Sequence, residues 1–255
     1  MFLDNYPCVT SEFCHSHTFT GLKSAPALLL LHGFMDSPYD LLWIGKQLNE
    51  AGYTVYIPRL PGHGTNADDF LLSTRKDWLR RAFDAYIDIS AIHEQVFVAG
   101  HSMGALLASL IAARFNPKKL ILFAPSFTVS DKRIRFTPFL KFFIKKIQSE
   151  NYKTYNNPDV LKATADYIGV QYVPMLAELY KLQKLASKNL TYIKAETLIV
   201  LSEKDPIIPM STKNLLDEKL KVVKDYLTLK ESLHYVSDGP EREEVAKKVI
   251  EFLKL

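Results

Sequence analysis

Short apolar runs alternate with amphipathic stretches along most of this chain. Nearly continuous apolar runs stand at 27–31, 53–57, 95–99, 120–123, 197–201 and 226–229, rich in Leu, Val, Ile, Tyr and Phe. Runs of this length that lack polar alternation suit strands buried on both faces, as in a parallel sheet covered by helices. Between them, 38–51 and 76–93 carry apolar positions at helical spacing. The segment around Phe13 to Thr20 reads as edge antiparallel strand. Strands alternating with helices predict an α/β architecture with a mostly parallel central sheet and helices on both faces.

The alternation stops after Leu120-Ile121-Leu122-Phe123 and resumes only at Thr197. A gap of this length with its own helical patterns is too long for a plain connection, and it reads as a small helical cap inserted into the core. The expected division is a core of 1–125 and 190–255 with a cap at 126–189. Within the cap, 136–147 reads as a helix that is aromatic and basic together. Lys141, Lys145 and Gln148 share one helical face and Phe139, Leu140, Phe142, Phe143, Ile144 and Ile147 fill the remaining arc. So wide an apolar arc suits an acyl chain, a lipid interface or packing on the core. A second apolar stretch, 166–179, offers another wall. Phe139, Phe143, Tyr172, Met175 and, beyond the cap, Ile207 are the pocket candidates.

The chemistry centres on Gly100-His101-Ser102-Met103-Gly104, directly between the run 95–99 and a helix-like stretch at 105–113. Strand, G-x-S-x-G, helix is the context of a nucleophile elbow. A strand that becomes a helix within one residue crowds its backbone, and glycines at 100 and 104 remove the Cβ atoms that would clash. Ser102 then stands at a helix N-terminus, where a developing oxyanion is favoured. A serine needs a base, and the base needs a partner. His234, in the loop after 226–229, is the only histidine downstream of Ser102. Ser202-Glu203-Lys204-Asp205-Pro206 follows the run 197–201, and either carboxylate could orient the imidazole. Asp205 is preferred because it lies in the turn proper, immediately before Pro206. The oxyanion donors expected are the backbone N–H of Met103, just after the nucleophile, and of Phe34, after the run 27–31. His32, His63 and His101 read as structural histidines that fix loops.

At this point the chain resembles the α/β-hydrolases of the bacterial carboxylesterase and monoacylglycerol lipase group. Leu-His-Gly-Phe at 31–34 and the serine elbow are superfamily-wide. Pro-Arg-Leu-Pro-Gly-His-Gly-Thr at 58–65 and Asn-Pro-Asp-Val at 157–160 are similar to this group in particular. The likeness runs from about residue 27 to the C-terminus; one departure is Ala105, where members commonly carry a second glycine. The resemblance implies an α/β-hydrolase fold and an esterase with a Ser102, Asp205, His234 triad, acting on small or single-chain esters. A thioesterase or aminopeptidase would use the same triad. A dehalogenase is disfavoured because the elbow carries serine rather than aspartate, and a non-catalytic ligand receptor on the same fold predicts binding without turnover.

Composition adds only bounds. The 255 residues, 47% hydrophobic and 24% charged, are ordinary for one α/β domain with an insertion. A net charge of +4 is too mild to imply a nucleic-acid partner. No apolar run approaches the length that spans a bilayer. The first residues lack a basic and apolar leader, so a cytoplasmic enzyme is expected, with Cys8 and Cys14 reduced. The carboxylates Asp68, Asp69 and Asp77 match no ligand spacing; neither metal nor cofactor is expected.

Overall fold

The computed structural model describes residues 11–149, 155–167 and 169–254. After a short 3-10 turn at Glu12–Cys14, the chain forms β1 (His17–Phe19), β2 (Ala27–Leu31), α1 (Leu42–Glu50), β3 (Thr54–Ile57), α2 (Ala67–Leu72) and α3 (Arg75–Ser90). Then follow β4 (Val96–His101), α4 (Met103–Phe115) and β5 (Lys119–Phe123). The remainder comprises α5 (Thr137–Leu140), β6 (Lys146–Gln148), α6 (Pro158–Ala163), β7 (Val170–Tyr172), α7 (Val173–Asn189), β8 (Glu196–Ser202), α8 (Thr212–Lys219), β9 (Lys224–Leu229) and α9 (Arg242–Lys254).

The main sheet has the order β1-β3-β2-β4-β5-β8-β9. Only β1 runs antiparallel, pairing with β3; every other neighbouring pair is parallel. The centre is as apolar as the sequence pattern requires: all residues of β2, β4 and β5 are buried. Helices cover both faces. Helix α4 is buried throughout its first ten residues, which explains why its sequence is apolar all round rather than amphipathic. It ends at Asn116 with φ 56°, a left-handed cap that Pro117 then prevents from continuing. In α9 the polarity is one-sided, and Val245, Val249 and Phe252 fall on the inner face at steps of three and four. Cys14 is buried; Cys8, with which it could pair, lies outside the described residues.

Strands β5 and β8 are parallel neighbours, so the chain between them leaves the sheet at Phe123 and returns at Glu196. The helix expected over 136–147 is not what forms there. A 3-10 turn at Lys132–Phe136 leads into the four-residue α5, and residues 146–148 become a strand paired with β7. Pro138 is well placed to start a helix, but Phe142, Phe143 and Ile144 have poor helix propensity. After the last turn, closed by the bond from Ile144 N–H to the Leu140 carbonyl (2.8 Å), pairing with β7 captures the chain. Lys141, Lys145 and Gln148 therefore do not share a helical face.

Candidate active site

The strand β4 turns into α4 at one residue, Ser102, whose φ of 53° and ψ of −112° lie outside the regions an L-residue favours. Such a backbone costs about 1–3 kcal/mol and persists only where its surroundings enforce it. Those surroundings are tight. A Cβ on Gly100 would lie 2.2 Å from the Gly104 carbonyl oxygen, and one on Gly104 would lie 2.1 Å from that of Leu31. Ser102 N–H donates to the Phe123 carbonyl at 2.9 Å, and the Ser102 carbonyl accepts from Ala105 at 3.1 Å. The elbow is thus clamped between β2 and β5.

Two loops at the same ends of the parallel strands bring the other groups. His234, after β9, has Nε2 3.0 Å from Ser102 Oγ and Nδ1 2.8 Å from Asp205 Oδ2. An ionised carboxylate only accepts, so Nδ1–H donates to Asp205 and Nε2 is left to accept from the serine hydroxyl. Asp205, in the turn after β8, is fixed independently: its Oδ1 accepts from Ile207 N–H (2.8 Å) and Ile208 N–H (2.9 Å). Burial pushes the Asp205 carboxyl up, but the His234 bond and charge and the two backbone donors outweigh it and hold the group below its ordinary value. Glu203 takes no part. Its side chain is exposed, while its N–H extends the strand ladder to Leu229. Of the two carboxylates in this turn, it is Asp205 that the structure brings to His234.

Phe34 follows β2, and Met103 is the first residue of α4. Neither backbone N–H is taken by an acceptor among the described residues. Three further histidines, His32, His63 and His101, hold loops. His32 Nδ1 contacts the Gly33 carbonyl at 3.0 Å, and its Nε2 accepts from Leu60 N–H at 3.1 Å. His63 contacts the Pro61 carbonyl at 2.9 Å and packs on Phe70 and Trp78. Burial lowers both, to about 4 for His32 and about 3 for His63, so each stays neutral.

His101 differs, and sequence spacing gave no signal of it. Its Nε2 lies 3.0 Å from the His234 carbonyl and its Nδ1 lies 3.4 Å from Asp36 Oδ2; Tyr235 OH donates to Asp36 Oδ1 at 2.8 Å. Burial alone would lower His101, but the Asp36 carboxylate and the His234 carbonyl raise it overall. Through these contacts the His101 imidazole joins the loop after β2, the elbow and the His234 loop.

Beside Ser102 and His234 opens a cavity of about 730 Å³. Its walls are mainly apolar, from Val129, Ile134, Leu140, Ile144, Leu176 and Leu179, while Asp36, Tyr155, Gln171 and Tyr235 supply polar groups. Of the five pocket candidates, Ile207 is among the residues that line the cavity, whereas Phe139, Phe143, Tyr172 and Met175 are not. Thr137, Leu140 and Ile144 face inward at steps of three and four, so Phe139 and Phe143 point outward and are exposed. Met175 is buried in the core, and Tyr172 packs on Phe70 with its hydroxyl donating to the Asp166 carbonyl. Among the described residues no cluster of His, Cys, Asp or Glu could hold a metal, and no helix is long and apolar enough to cross a membrane.

A serine, an imidazole and a carboxylate linked by hydrogen bonds on the rim of a parallel sheet fit one class, a serine hydrolase of the α/β-hydrolase fold. Within that class, the chain belongs to the family described as serine aminopeptidase, S33 (Hydrolase_4), whose model matches residues 23–238. It is 24% identical to a carboxylesterase of Bacillus subtilis (strain 168), over 92% of this chain and 95% of that one. It is 25% identical to a thermostable monoacylglycerol lipase of Bacillus sp. (strain H-257), over 98% and 97%. Among solved structures, one of a metagenome-derived lipolytic enzyme superposes with a TM-score of 0.86 at 22% identity, covering 96% of this chain and 99% of the other. The monoacylglycerol lipase of Paleococcus ferrophilus gives 0.74 at 21%, covering 94% and 97%.

Proposed function

We propose that this carboxylic ester hydrolase cleaves single-chain acyl esters, monoacylglycerols foremost, through an acyl-enzyme formed on Ser102. The observation that carries the reading is the Ser102–His234–Asp205 chain, with links of 3.0 and 2.8 Å, at the wall of a mainly apolar cavity. His234 Nε2 takes the proton as Ser102 Oγ attacks the ester carbonyl, while Asp205 stabilises the imidazolium that forms. The oxyanion is received by the N–H groups of Phe34 and Met103, each worth about 3 kcal/mol. His234 then protonates the departing alcohol, and water, activated by the same base, releases the acid. Residues 126–189 act as the cap, their apolar inner face lodging the acyl chain and Tyr155 and Gln171 facing the alcohol.

The family's description also names aminopeptidases, and an amide would use the same groups. The test is turnover of 1-monoacylglycerols, simple alkyl esters and aminoacyl anilides across acyl lengths, with Ser102→Ala as control. The reading expects glycerol monoesters of medium or long chains to be preferred and the control to be inert. Preference for short alkyl esters would reduce the protein to a general carboxylesterase, and preference for anilides would overturn the ester reading.

A further inference from the structure

The segment that carries His234 approaches it with little apolar packing. It starts where β9 ends at Leu229, on the outer edge of the sheet, and Lys230, Glu231 and Leu233 are all exposed, Leu233 by 61%. Side chains that face water do not fix a backbone, yet the geometry needs His234 Nε2 held 3.0 Å from Ser102 Oγ. A misplacement of about 1 Å in such a pair costs on the order of 10²-fold in rate. At His234 itself the chain is tied: its carbonyl accepts from Val236 N–H at 2.9 Å and lies 3.0 Å from His101 Nε2. On the approach, residues 230–232, the tie comes from Glu241, the residue just before α9.

Glu241 turns its carboxylate back onto this approach. Its Oε1 accepts from Lys230 N–H at 2.9 Å. Its Oε2 accepts from Glu231 N–H at 3.0 Å, Ser232 N–H at 2.7 Å and the Ser232 hydroxyl at 2.7 Å. The three N–H groups are successive and lie past the last ladder pair, Ser202 with Leu229, so one anion gathers donors that the sheet does not pair. Burial would raise the Glu241 carboxyl, but these donors hold it down at about 2, so it is ionised and only accepts. Ser232 is fully buried and passes the tie on. Its carbonyl accepts from Ser202 Oγ, and the Ser202 carbonyl accepts from Asp205 N–H at 3.4 Å. Through Ser232 and Ser202, one carboxylate is thus linked to both the His234 loop and the Asp205 turn.

We propose that Glu241 is a positioning residue for the ester cleavage read above from Ser102, His234 and Asp205, setting the backbone at Ser232 and so the place of the His234 imidazole between Oγ and the carboxylate. It acts through Ser232 and lines no part of the cavity. A group that merely stabilised the fold would, on removal, lower the number of competent molecules and leave each as fast as before. A positioning group slows the competent molecules themselves. Because the substrate is held by cavity walls to which Glu241 adds nothing, the loss falls on kcat rather than on KM.

The test is steady-state kinetics of the full chain and its Glu241→Ala and Glu241→Gln variants on a soluble p-nitrophenyl ester, with kcat expressed per serine titrated by a fluorophosphonate. In Glu241→Ala this kcat should fall by at least about tenfold while KM stays within about threefold. Formate, a carboxylate small enough to meet the same N–H groups, should at about 0.5 M restore it by at least about threefold. Glu241→Gln keeps one acceptor oxygen but sets an N–H₂ against backbone donors, so its kcat should fall by a similar factor; this variant carries the kcat test where the alanine variant does not fold. Glu244→Gln, an exposed acid on α9, should stay within about twofold of wild type. A kcat per titrated serine within about twofold of wild type in both Glu241 variants overturns the proposal. So does a rise in KM with kcat unchanged, or a loss in Glu241→Ala that formate leaves unmoved. A wild type inert toward esters would instead overturn the ester reading beneath it.

Discussion

Asp205→Asn is the substitution whose consequence follows most directly from the geometry. Asp205 uses both oxygens: Oδ1 accepts from Ile207 and Ile208 N–H, and Oδ2 accepts from His234 Nδ1. Asparagine can keep only one of these roles. With its carbonyl oxygen toward the two backbone donors, its amide N–H₂ faces Nδ1 and must donate. Nδ1 then becomes an acceptor and the neutral imidazole carries its proton on Nε2, pointing at Ser102 Oγ. The base is in place, 3.0 Å from the serine, in the tautomer that cannot take a proton. A tautomer error of this kind costs on the order of 10⁴ in kcat, or about 5.5 kcal/mol of transition-state stabilisation. Because no cavity wall changes, KM for a soluble p-nitrophenyl ester should stay within about threefold. Steady-state kinetics of Asp205→Asn beside Glu203→Gln separates the two carboxylates, and the exposed Glu203 should be replaceable within about twofold. Retention of more than about a tenth of wild-type kcat in Asp205→Asn, or an equal loss in Glu203→Gln, would refute the reasoning.

Further outcomes follow from other parts of the structure. Gly104→Ala places a Cβ 2.1 Å from the Leu31 carbonyl oxygen, a backbone atom that cannot rotate away. The cost should be about 3 kcal/mol, seen as a fall of roughly 6–12 °C in Tm, and an unchanged Tm would show that the elbow is not clamped as described. His101 has a raised pKa in the folded state, so the stability its charge contributes is fully present below the ordinary histidine value near 6.5 and is lost as pH rises through the folded value. The Tm advantage of the wild type over His101→Gln should therefore be largest on the acid side of the ordinary histidine value and shrink as pH rises through the folded value; a difference independent of pH would contradict the raised pKa. Leu176→Trp adds bulk to the cavity wall and should move the acyl-length optimum toward shorter chains without lowering turnover of an acetyl ester, whereas an unmoved optimum would remove Leu176 from the acyl path.

The elements with a single environment were legible from residues alone. The five leucine and alanine positions of β2, buried on both faces, allow little but a central strand, and Gly-x-Ser-x-Gly between a strand and a helix leaves one place for the serine. His234 followed because it is the only downstream histidine, and Asp205 because it sits in the turn beyond β8. What was misread depended on partners distant in sequence. The helix expected over 136–147 gave way to a strand because pairing with 170–172 decided between two local tendencies. With it went the pocket roles of Phe139 and Phe143, since helical periodicity identifies an apolar arc but not which part of it turns inward. The Asp36–His101–Tyr235 network joins three loops far apart in the chain, and no spacing rule registers it.

The central claim is that Ser102 is the nucleophile of an acyl-transfer site, and covalent labelling tests it most directly. The protein is treated with a fluorophosphonate, and intact mass and peptide mapping locate the adduct. The account predicts one adduct per chain, on Ser102, with loss of ester turnover in parallel with labelling, and no adduct in Ser102→Ala. An adduct on another residue, or turnover that survives full labelling of Ser102, would contradict it.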